Sequence, residues 1–134
     1  MLFLDTSALL AAQIEAPARA VALDALASDG AAAAASAVAL AEALAAIDRM
    51  TDEPILRADL EDGVRRLWDH LHIVTLSPQL LEAAAALCRQ QPLRLQHALH
   101  LASATLLPPP TRFVTFDPAQ IPVALSLGLD VVSL

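Results

Sequence analysis

The chain has 134 residues, 57% of them hydrophobic, with 15 acidic and 8 basic side chains and a formal net charge of −7. That length suits one domain with a core of its own, so residues 1–134 read as a single domain. Every basic residue other than histidine is arginine, which excludes a Walker-type phosphate loop and the lysine-dependent phospho-receiver and haloacid-dehalogenase-type sites, and the acidic balance argues against broad, charge-driven nucleic-acid binding.

Alanine supplies much of the apolar content, and three Phe and one Trp are the only aromatic residues. The composition points to an ordered, helix-rich core of small side chains. Cys88 is the single cysteine and reads as a buried apolar residue. The opening MLFLDTS has no basic region and meets Asp5 early, which argues against a signal peptide. The longest uncharged run near the middle, 30–41, is too short to span a bilayer. A cytoplasmic protein that does not engage membranes is the expectation.

Residues 2–4 (LFL) form a short apolar run ending on Asp5, the pattern of a buried parallel strand. A helix over 7–15 follows, and a second starts near Pro17, where proline suits a first helical turn. Asp29-Gly30 reads as a turn. The stretch 31–50 is helix in its second half, while its first part fits helix or a small-residue strand equally well. Thr51–Pro54 breaks the chain, a helix runs from Pro54 to about His70, and HIVTL (72–76) reads as a strand. Ser77-Pro78 starts a helix reaching Gln90. A loop through Pro92 leads into a helix ending near Leu106, stopped by PPP at 108–110. RFVTF (112–116) is a strand ending on Asp117, followed by a helix to Leu127, a cap at Gly128 and a last strand in DVVSL. Strands alternate with helices throughout, which argues for a parallel sheet covered on both faces.

Two apolar runs end directly on an aspartate, at Asp5 and Asp117. Either residue alone is also a good helix N-cap. As a pair they favour a site, because parallel strands lie ~4.8 Å apart and adjacent strand ends bring two carboxylates within reach of one cation. Glu42 is the third candidate, the lone acid in AVALAEALAAI; on a buried face it needs a partner, and on an exposed face it is merely solvated. His97 and His100 lie three apart in RLQHALHLAS, yet no cysteine accompanies them and the pair does not make a zinc site. His70 and His72 read as surface residues. Arg65, Arg66, Arg89 and Arg94 suit either RNA contact or a solvated helix face.

Five segments in order, LFLDTSALL (2–10), SAVALAEALA (36–45), LRLQHALHLASA (93–104), FVTFD (113–117) and LGLDVV (127–132), resemble a small PIN domain of the kind found as the toxin of bacterial VapBC toxin–antitoxin pairs. The resemblance covers essentially the whole chain. It implies a three-layer α/β/α fold with a mostly parallel central sheet of about five strands, the second strand near 31–35 and a helix from Val38. It also implies a metal-dependent endoribonuclease holding Mg²⁺ or Mn²⁺ on Asp5, Glu42 and Asp117, with Thr6, Ser7 and Thr115 as supporting hydroxyls. An RNA substrate, a cognate antitoxin and a homodimer follow from the same resemblance.

One position departs from the pattern. The remaining acid of the family falls on His97, which becomes a further candidate ligand. Imidazole in place of carboxylate removes a charge and a hard ligand, so Mg²⁺ is expected to bind less well and Mn²⁺ to tolerate the change better. The competing expectation is a PIN-like module that binds a partner with little or no catalysis.

Overall fold

The computed structural model describes residues 1–28 and 32–134; the turn expected at Asp29-Gly30 lies outside them. Five short strands, β1 (Leu2–Leu4), β2 (Ala33–Ser36), β3 (His72–Val74), β4 (Arg112–Val114) and β5 (Asp130–Val132), form one sheet in the order β3-β2-β1-β4-β5. All four pairings are parallel, with Phe3 opposite Ala34 on one side and Phe113 on the other. The chain steps outward from β1 to β3, then returns to place β4 on the far side of β1. The reversal opens a crevice beyond the carboxyl ends of β1 and β4, where open parallel sheets hold their ligands.

Period-two alternation sorts β1 between two layers. Leu2 and Leu4 pack with Ala8, Leu9, Ala25 and Ala39 on one face, against α1 (Thr6–Ala11), α2 (Pro17–Ala27) and α3 (Ala39–Met50). The helix α4 (Pro54–Trp68) completes that layer through Leu60 and Val64 beside Ala43 and Ile47. Phe3 and Phe113 face the other way, stacked at 5.6 Å, into a cluster built by α5 (Pro78–Gln90), α6 (Leu95–Thr105) and α7 (Ile121–Ser126). This is the expected three-layer fold with a five-stranded parallel sheet.

The differences from the sequence reading sit at element ends. The first helix stops at Ala11 rather than residue 15, and α4 stops at Trp68 rather than His70. The strands β3 and β4 close at Val74 and Val114, two residues earlier than their β-branched runs suggest. Past Val114, Thr115 N still donates to Val132 O at 3.1 Å, but Phe116 N and Asp117 N turn to the hydroxyls of Ser7 and Thr115. The helix after Asp117 is two pieces, a 3-10 turn over Pro118–Gln120 and then α7. Gly128 holds φ at +80°, the left-handed cap. Cys88 is partly rather than fully buried.

Caps set where the helices begin. Ser77 accepts from Leu80 N at 3.1 Å and starts α5. Glu53 starts α4, accepting from Ile55 N at 3.1 Å and Leu56 N at 2.7 Å, and these two bonds hold its carboxyl below the usual glutamate range near 4.5. A depressed folded-state value means the cap's contribution is present above the unfolded value and is lost as pH falls through the folded one. Glu53 should therefore titrate below 4.5 by NMR in the native chain. Glu53→Gln should flatten that part of the acid stability profile, and an unshifted midpoint would dismiss the cap.

Candidate functional site at the strand ends

The crevice is built by residues that immediately follow β1 and β4. Asp5, 1% exposed, leaves β1 and caps α1, accepting Ala8 N at 3.0 Å on Oδ1. Ser7 Oγ donates to the same oxygen at 2.6 Å. Thr115 Oγ1, one residue past β4, donates to Oδ2 at 2.5 Å, and Gln120 Nε2 donates to it at 2.7 Å. Each hydroxyl is used twice: Ser7 Oγ accepts Phe116 N at 2.8 Å, and Thr115 Oγ1 accepts Asp117 N at 3.1 Å. Asp5 thus pins the segment after β4 to the segment after β1. Burial pushes its carboxyl up, and the donor hydrogen bonds from Ser7, Thr115 and Ala8 oppose that rise.

Glu42 reaches the crevice from the first turn of α3. Its Oε1 accepts from Thr6 Oγ1 at 3.1 Å and lies 2.8 Å from His100 Nε2 on α6. Burial works upward on Glu42, and the bonds from His100 and Thr6 outweigh it, so the carboxyl sits below its usual range. His100 is buried, and its Nδ1 has no partner among the described residues. A hydrogen on Nδ1 would be an orphaned buried donor, so the ring is assigned the tautomer with its hydrogen on Nε2, donating to Glu42.

Asp117 caps the 3-10 turn by accepting Ala119 N at 3.0 Å on Oδ1, while its Oδ2 lies 2.8 Å from His97 Nε2. His97 is the third residue of α6, and its side chain is 22% exposed against 33% for Asp117. Capping and clustering are therefore not alternatives here; both aspartates do both.

Hydrogen bonds link the seven residues singled out in the sequence into two groups at the same strand ends. One joins Asp5, Ser7, Thr115 and, through its backbone, Asp117 with His97; the other joins Thr6, Glu42 and His100. Sequence reasoning missed two participants. His100 is set aside there because no cysteine accompanies the pair, although its three-residue spacing from His97 puts both on one side of α6. Gln120, 2% exposed, was passed over entirely; an amide within the apolar PAQIPVAL is the signal that pointed to it. His70 and His72 are exposed, as are Arg65, Arg66, Arg89 and Arg94, and Arg65 pairs with Glu61 at 3.2 Å. Burial is the largest cause that raises Asp5.

A doubly wound parallel sheet with acids gathered at its switch point defines a class of domain that handles its ligand at the strand ends. A family model for the PIN domain matches residues 2–125, and the chain belongs to that family. PIN domains are generally nucleases that use divalent metal ions. Among solved structures, the chain is similar to VapBC2 from Rickettsia felis bound to a DNA fragment from their promoter, at TM-score 0.72 and 15% identity over 100% of this chain and 99% of that one. It is also similar to a toxin–antitoxin complex from Klebsiella pneumoniae, at 0.67 and 21% over 90% of each chain. FitAB bound to the IR36 DNA fragment matches at 0.69 and 14%, over 99% of this chain and 94% of that one. At these identities the likeness is one of fold. No curated protein sequence matches the chain.

The residues present do not fit a divalent ion as they are arranged. Among the described residues, no three His, Cys, Asp or Glu side chains come together as a group able to hold one. Both oxygens of Asp5 already carry two protein donors each, the full capacity of a carboxylate. Also among the described residues, no helix is long and apolar enough to cross a membrane.

Proposed function

We propose that this chain is the toxin-side member of a toxin–antitoxin pair, an endoribonuclease of the PIN type whose hydrolysis of RNA phosphodiesters is weakened by His97. The observation that carries the reading is the hydrogen-bonded gathering of Asp5, Thr6, Glu42, Thr115 and Asp117 at the switch point of a PIN-family chain. Asp5 acts as the anchor of the two strand ends. Glu42 is 30% exposed, with both of its hydrogen bonds on Oε1, so Oε2 is the oxygen placed to take a proton from an attacking water or hydroxyl. Asp117 and His97 form the rim. The family's usual Mg²⁺ or Mn²⁺ enters no step, given the arrangement of the donors.

A net charge of −7 disfavours long-range capture of RNA, so contact is local and any steering falls to Arg89 and Arg94. The similar structures that are toxin–antitoxin assemblies support an antitoxin partner. Exposed Met50, Ile55 and Leu56 around the turn between α3 and α4 offer apolar area for a partner or a second copy in a homodimer. A cytoplasmic location goes with this reading.

A second reading, a partner-binding module without hydrolysis, is favoured by one contact, the His97–Asp117 bond that occupies a rim acid. Labelled single-stranded RNA separates the two. On the first reading wild type cuts slowly, and Glu42→Gln lowers the rate by roughly a hundredfold or more with the fold intact by circular dichroism. Equal cleavage by both proteins would remove Glu42 from the chemistry, and no cleavage by either would leave the binding module.

A further inference from the structure

We propose that the strand-end cluster of this chain takes no divalent cation, because protein N–H and O–H donors, those of His97 and His100 among them, occupy the acids' oxygens where an ion would otherwise sit. The inference rests on reading the strand ends as the functional site. Asp5 has no lone pair to give, with Ser7 and Ala8 N on Oδ1 and Thr115 and Gln120 on Oδ2. Asp117 spends Oδ1 on Ala119 N and Oδ2 on His97. Glu42 spends Oε1 on both Thr6 and His100.

An entering ion would have to displace four donors at once from the buried Asp5 carboxylate. Gln120 already leaves its Oε1 without a partner among the described residues, so its amide has little freedom to compensate. Oxygen-seeking ions such as Mg²⁺ need several free oxygens in a regular array, and Glu42 Oε2 alone does not make one. His97 is the member whose position decides the matter. It sits on the first turn of α6, at hydrogen-bond distance from the one aspartate that is partly exposed.

Thermal unfolding of the full chain tests this without reference to activity. Wild type is unfolded in EDTA and then in excess MgCl₂ or MnCl₂ at matched ionic strength. The expected shift is under about 1 °C, since a ligand that does not bind the native state cannot stabilise it. His97→Asp, which exchanges the N–H donor for a carboxylate, should rise by about 5 °C or more with Mn²⁺.

A rise of several degrees in wild type overturns the proposal, and so does a folded His97→Asp that ignores both ions. If His97→Asp does not fold, His97→Gln and His97→Ala replace it. Gln keeps an N–H and should stay indifferent to cations, whereas Ala frees Asp117 and should respond; the reverse pattern overturns the assignment. RNA cleavage read in the same samples keeps the two claims apart. Cation-stimulated cutting by a wild type that also shifts defeats this inference and leaves the ribonuclease standing. A responsive His97→Asp that cuts nothing defeats the ribonuclease and leaves the inference.

Discussion

His97→Asp should raise cleavage of single-stranded RNA in Mg²⁺ by roughly 10- to 100-fold, the scale at which a partner of a metal-binding acid sets its competence. The substitution does two things at once. It releases Asp117 Oδ2 from the 2.8 Å contact with the imidazole, and it adds a second carboxylate beside it. The fold should accept the change. Position 97 is the third residue of α6, whose N-cap Arg94 offers no side-chain bond, and an aspartate in a first turn is favoured by the helix dipole. Adding Asp5→Asn to the same protein should abolish the gain. Rates must be compared at matched salt, because phosphate contacts weaken as salt rises. Unchanged cleavage in a folded His97→Asp protein would place His97 outside the working part of the site.

The largest effect on stability should come from Asp5→Ala. Removing the carboxylate takes the acceptor from Ser7 Oγ, Thr115 Oγ1 and Gln120 Nε2 and leaves Ala8 N with only the residue 5 carbonyl at 3.2 Å, around a side chain that is 1% exposed. It also takes the cap from α1. Buried donors left without an acceptor cost roughly 1–3 kcal/mol each, so the loss is a large share of the stability of a domain this size. Asp5→Asn should fall between Ala and wild type. Its oxygen can still accept Ser7 and Ala8 N, and no buried charge remains, but its NH₂ meets two groups that were donors to Oδ2. Urea denaturation of the three proteins gives the order directly. An Asp5→Ala midpoint equal to that of wild type would mean the network holds nothing.

Much of this was legible in the residues because local chemistry and tertiary role agree. LFL followed by Asp5, and Ser77-Pro78 ahead of an apolar helical run, each carry one consistent signal, and both elements fall where that signal puts them. The start of 31–50 was not legible from periodicity, since a run of alanines fits strand and helix alike. The family resemblance assigned it, and β2 does occupy Ala33–Ser36. Strand ends were overrun at Thr75-Leu76 and Thr115-Phe116; at the second, Ser7 Oγ takes Phe116 N, which β propensity does not register. The acids were visible as acids. What they bond to was not, because His100 and Gln120 approach Glu42 and Asp5 across 58 and 115 residues of chain, and no spacing rule reaches that far.

That distance along the chain has a consequence for synthesis. Of the four donors to Asp5, Thr115 and Gln120 leave the ribosome 110 and 115 residues after it. Until then β1 lacks its β4 neighbour, and the crevice has only one wall. Translation at about 5–20 residues per second therefore imposes a delay of roughly 5 to 25 seconds between making Asp5 and completing the cluster around it. A nascent or truncated product that stops before Thr115 carries Asp5 and Glu42 without the bonds that join the two strand ends.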